Sequence, residues 1–116
     1  MRHLVKVKKF HRKRDQRKSL FKILAYNLIM KGRIKTTTAR AKYLKRLVEK
    51  LVTLAKRQDL HSLRLLISRL NKKAAYKLFY EIAPKYFDRN GGYLRVVKLP
   101  LRRKKDGSEL SFIEFV

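Results

Sequence analysis

Asn90-Gly91-Gly92-Tyr93-Leu94-Arg95-Val96-Val97-Lys98-Leu99 decides the fold, because a strand pattern opens here after a long run of helical spacing. Asn-Gly-Gly is a strong turn signal, and the β-branched and aromatic residues that follow suit a pleated, half-buried surface. Downstream, Asp106-Gly107 marks a second turn, and Glu109 to Val116 alternates through Leu110, Phe112, Ile113 and Phe115. The two runs are expected to pair antiparallel across the basic segment Arg102 to Lys105. Phe112 and Phe115, like Phe21 and Phe79, fall on apolar faces and are expected in the core.

Upstream the period is helical. Leu20, Phe21, Leu24, Ala25, Leu28 and Ile29 predict a first helix over roughly 16–31, ended by Gly32 in a left-handed cap. Arg33-Ile34-Lys35-Thr36-Thr37 alternates over too few residues for a helix and reads as a short strand. Thr37 or Thr38 can cap a second helix, whose stripe is Ala41, Leu44, Leu47, Val48, Leu51, Leu54 and Ala55. Asp59 caps a third helix, with Leu63, Leu66, Ile67 and Leu70 inward. Asn71 caps a fourth, with Ala75, Leu78, Phe79 and Ile82 inward and Pro84 at its stop. The reading is α+β: about four helices packed on a small mixed sheet of about three strands, with a basic extended N-terminal arm.

The chain has 116 residues, so one compact domain is expected: residues 16–116 globular, residues 1–15 a basic extension. The absence of Cys excludes disulfides and thiolate chemistry. No apolar run approaches the ~20 residues of a bilayer span, and the start lacks a secretory pattern. His3, His11 and His61 have neither zinc-motif spacing nor a plausible nucleophile beside them. Asp59, His61 and Ser62 share one helical turn and cannot form a relay. Neither a phosphate-cradling loop nor a dinucleotide fingerprint occurs. No catalytic site, metal or cofactor is expected, and no small-molecule substrate.

Charge is the informative quantity. Lys plus Arg number 33 against 8 Asp plus Glu, a formal net charge of +25, and such a surface repels itself until a polyanion neutralises it. Nucleic acid is the expected partner. The candidate contacts in the extension and the start of the first helix are Arg2, His3, Lys6, Lys8, Lys9, Arg12, Lys13, Arg14, Arg17 and Lys18. Arg33, Lys35, Thr36, Thr37, Arg40 and Lys42 follow at the strand-to-helix junction. Arg89, Gly91, Gly92, Tyr93 and Arg95 form the glycine hairpin, with Arg102 and Arg103 beyond it. Gly91 and Gly92 lack side chains that would keep a phosphate or ribose away, which makes Tyr93 a candidate contact; the other reading is a plain hairpin with an edge tyrosine. The extension has too few apolar residues to offset the entropy of ordering, so residues 1 to about 15 are expected to order only on the nucleic acid.

Taken together, Met1-Arg2-His3, Arg33 to Thr37 followed by Ala41-Lys42, Leu54-Ala55-Lys56, Arg89 to Arg95 and Ile113 to Val116 resemble one family over essentially the whole length. This is the bacterial-type large-subunit ribosomal protein seventeen family. The resemblance implies an α+β domain with a basic extension, bound to large-subunit ribosomal RNA near the outer surface around the peptide exit tunnel. It implies neighbouring large-subunit ribosomal proteins as further partners and no enzymatic activity; the expected setting is a cytoplasmic ribosome, with an organellar ribosome as the alternative. By matching position, Arg2, His3, Arg12 and Arg17 belong to the extension, Thr36 and Thr37 to the junction, and Arg89 to Arg95 to the hairpin. The family often has glycine where Val7 precedes Lys8, and usually Gly-Asp where this chain has Asp106-Gly107. The competing class is an architectural DNA-binding protein; a membrane-active cationic protein ranks lower, since the apolar stripes suit packing on each other.

Overall fold

A computed structural model describes residue 3 and residues 8–116. Helix α1 spans Arg14–Lys31, strand β1 Arg33–Thr37, helix α2 Thr38–Ala55, helix α3 Leu60–Arg69 and helix α4 Lys72–Lys77. Strands β2 and β3 span Leu94–Arg102 and Glu109–Phe115. The caps behave as polar side chains at helix starts should. Asp59 accepts from the Ser62 amide at 2.7 Å, and Asn71 from the Ala74 amide at 2.8 Å. Gly32 ends α1 at φ 78, its amide donating to the Leu28 carbonyl. Neither threonine caps α2 through its side chain. Thr37 makes no such bond, and the Thr38 hydroxyl shares a buried 2.6 Å hydrogen bond with that of Ser111, tying the helix start to β3.

The sheet order is β1-β3-β2, and both pairings are antiparallel rather than mixed. β1 and β2 do run the same way, but β3 lies between them, so no parallel ladder forms. Alternation then sorts the strands into two faces. Leu94, Ser111 and Ile113 are buried under the helices, whereas Arg33, Lys35, Arg95 and Val97 are exposed on the opposite face.

Helix α2 carries the core. Ala41, Leu44, Val48, Leu51, Val52, Leu54 and Ala55 are buried along it, meeting Leu28 and Ile29 of α1, Leu66 of α3 and Leu78 beyond α4. Each fully buried leucine or isoleucine contributes about 1.5–3 kcal/mol. After Lys77 the helix widens into a π-turn, Leu78–Ile82, and then tightens into a 3-10 turn, Ala83–Tyr86. The wide turn lets Leu78, Phe79, Ile82 and Ala83 all face inward while Tyr80 stays outside.

One expectation needs correction. Phe112 is not in the core: Ser111 and Ile113 on either side of it are fully buried, so parity puts Phe112 on the outer face. Phe10 packs its ring 5.1 Å from Phe21 and 5.5 Å from Tyr43, which fastens the end of the extension to α1 and α2. Residues 1, 2 and 4–7 of the stretch expected to order on RNA, Arg2 and Lys6 among them, lie outside the described residues.

Candidate nucleic-acid interface

The chain turns sharply at Phe10 and His11, both at positive φ, 53 and 54. This left-handed conformation costs non-glycine residues roughly 1–2 kcal/mol each. The Phe10, Phe21 and Tyr43 cluster offsets it, because aromatic pairs contribute about 0.5–1.5 kcal/mol beyond their buried area. Arg12 secures the turn, one guanidinium nitrogen donating to the Phe10 carbonyl at 2.9 Å and its amide to that of Lys9 at 3.1 Å.

The turn brings Arg12 beside Arg40 of α2 and Arg103 of the β2–β3 hairpin around one open depression of about 460 Å³. Thr37 and Thr38, at the positive end of α2, complete the lining with Glu109. Three of the cations singled out in the sequence thus converge from three separate segments. Arg103 is already engaged, since its guanidinium grips the Asp106 carboxylate and holds that group well below the usual carboxylate range.

The glycine segment, expected as a hairpin, is instead the turn that leads from the 3-10 turn into β2; it lies at the other end of α2, about 27 Å away at 1.5 Å per residue. Gly92 takes φ 63, and Arg89, Gly91 and Gly92 are exposed. Tyr93 is not: its ring is 2% exposed, edge-on to Tyr86 at 5.4 Å. It pins the turn instead of facing solvent. Its hydroxyl accepts from Lys56 Nζ at 2.9 Å, which holds the phenol below the usual tyrosine value, and the same ammonium donates to the Arg89 carbonyl. Lys56, Phe10 and Phe112 all escaped the sequence reading as interface residues. A lone aromatic in a cationic stretch was the available signal for Phe10; nothing local marks Lys56.

Between these ends runs the outer sheet face, with exposed Arg33, Lys35 and Arg95. Glu114 accepts from Arg95 at 2.8 Å and lies 3.8 Å from Arg33. Lys8, Lys9, Lys13, Arg14, Lys18, Lys42 and Arg102 are exposed, as is His3, while Arg12, Arg17, Thr37 and Arg40 are half-buried and Thr36 is buried. Among the described residues only four ion pairs form, so most of the Lys and Arg side chains have no carboxylate partner. None of the described helices is long and apolar enough to cross a membrane.

A family model described as Ribosomal protein L17 matches residues 20–116. The relatives include the large ribosomal subunit protein bL17 of Sulfurihydrogenibium sp. (strain YO3AOP1), 55% identical over 117 residues, covering 100% of this chain and 97% of the relative. The proteins of the same name from Persephonella marina and Thermus thermophilus are 54% and 47% identical. Both alignments cover all of this chain, with 95% and 99% of the respective relatives. With the family matched over most of the chain and the relatives over all of it, this chain belongs to the ribosomal protein L17 family, a family of ribosomal proteins and not of enzymes.

Proposed function

We propose that this chain binds and stabilises large-subunit ribosomal RNA near the outer surface around the peptide exit tunnel, in the cytoplasmic ribosome, beside neighbouring large-subunit proteins. The observation that carries the reading is the convergence of Arg12, Arg40 and Arg103 on one depression at the positive end of α2. The carboxylates at hand are already engaged, Asp106 by Arg103 and Glu109 by Lys98 at 3.6 Å, so Arg12 and Arg40 repel each other until a further anion sits between them. The relatives' name supports the large subunit as the setting, and the resemblance supports the tunnel surface.

Arginine suits this task, since its planar fork engages two phosphate oxygens at once. The extension adds mobile point charges through Lys8 and Lys9. Neutralising many phosphates releases counterions, so log K should fall steeply with log salt. The test is co-sedimentation of the full chain with large ribosomal subunits through a gradient at moderate salt, with excess duplex DNA as competitor. Retention on the subunit supports the proposal. Transfer to the DNA would favour an architectural DNA-binding protein instead.

A further inference from the structure

The outer face of the sheet carries an aromatic ring that the core does not use. Phe112 stands on the central strand, opposite Lys35 of β1 and Val97 of β2. One row along, Glu114 lies between Arg33 and Arg95. The Arg33 guanidinium sits 3.7 Å above the centroid of the Phe112 ring and beside Glu114, so both the ring and the carboxylate position it. Its side chain is nevertheless 54% exposed, and Arg95 is 60% exposed. The helices pack on the opposite face, where Ile113 and Ser111 are buried.

We infer that Phe112 and Arg33 form a stacking site for an unpaired RNA base, with Lys35 and Arg95 placed to meet the flanking phosphates. An arginine plane supported from below by an aromatic ring offers its upper side to a third flat group. The charge favours nucleic acid over a protein partner. Three cations face one carboxylate here, and the guanidinium occupies the spot over the ring that an apolar side chain would need. The base must be unpaired, because a duplex stacks its base faces on one another and presents only phosphates, riboses and base edges. The inference rests on the RNA-binding reading and refines it, from phosphate contact alone to recognition of single-stranded RNA.

The experiment measures the affinity of the full chain at several salt concentrations for two probes. One is a stem-loop RNA with a loop of adenosines; the other is a fully paired RNA duplex with the same number of phosphates. Arg33→Lys keeps the charge and loses the plane, Phe112→Leu loses the ring, and Phe112→Tyr keeps it. Arg33→Lys and Phe112→Leu are expected to weaken loop binding about five- to tenfold more than duplex binding, with both salt slopes unchanged. Phe112→Tyr is expected to bind like the wild type. If Phe112→Leu melts early, Arg33→Lys decides alone. Equal losses on loop and duplex, or no loss on the loop, would overturn the stacking site, as would displacement of the loop RNA by a polyglutamate peptide. A wild-type chain that binds neither RNA with a steep salt dependence would instead overturn the RNA-binding reading itself.

Discussion

The turn at Phe10 and the turn at Gly92 both present cations from a backbone at positive φ, and they are held by opposite means. At Phe10 the residue in the strained conformation is itself the anchor, so it cannot be glycine, and its ring must make up the strain by packing on Phe21 and Tyr43. In the glycine turn before β2 the jobs are split. Gly92 takes the turn without strain, and the next residue, Tyr93, is the anchor, pinned by Lys56, by Tyr86 and by the Val116 amide on its carbonyl. One end of the interface therefore hangs on a single ring and the other on a network. The difference predicts that the first fails by losing affinity and the second by losing the fold.

The largest effect should come from Tyr93→Ala. It removes a nearly fully buried ring and leaves Lys56 without its hydroxyl partner, so unfolding free energy should fall by about 3–5 kcal/mol in urea titrations. Phe10→Ala removes a half-buried ring, and without that anchor the chain can leave the left-handed turn that alanine also disfavours, so stability should drop by no more than about 1–2 kcal/mol. RNA affinity should instead fall about tenfold at physiological salt, with a shallower salt slope as Arg12 leaves the depression. If both variants lose the same stability, the contrast between the two anchors is wrong.

Lys56→Met sharpens the contrast from the other side. It keeps an apolar stem and deletes the ammonium, leaving the Tyr93 hydroxyl and the Arg89 carbonyl without their donor. The expected cost is about 1–3 kcal/mol, with the turn amides from Arg89 to Tyr93 exchanging faster than those of α2. Uniform exchange across both segments would mean that the clamp does not control the turn.

Legibility in the sequence follows from how local the determining physics is. The Asp59 and Asn71 caps and the Gly32 stop are set by a few neighbouring residues, and all three stand where the sequence put them. The stripe of α2 is equally readable because a period of 3.6 recurs over eighteen residues. Strand β3 is harder. Leu110, Phe112, Ile113 and Phe115 break strict alternation, so only pairing with β1 and β2 settles that Phe112 points out. The candidate site divides in the same way. Exposed cations were legible from composition, whereas the burial of Tyr93 and the anchoring of Phe10 depend on contacts 37 and 33 residues away, with Lys56 and Tyr43.

The smallest predicted effect tests how far the depression beside Phe10 is held in check. Arg103 lines it with Arg12 and Arg40, yet its guanidinium is gripped by Asp106 across the hairpin. Asp106→Asn frees that charge, and one additional phosphate contact should steepen the salt slope by about 0.7–0.9. The effect of pH follows from the same pair. The folded pKa of Asp106 is depressed below the unfolded value near 3.8, so the pairing is fully present above that value and is lost only as pH falls through the lower folded one. The gap in affinity between wild type and Asp106→Asn should therefore stay constant from about pH 8 to pH 5 and begin to close only below the ordinary carboxylate range. A gap that already closes between pH 8 and pH 5 would remove Asp106 from control of the site.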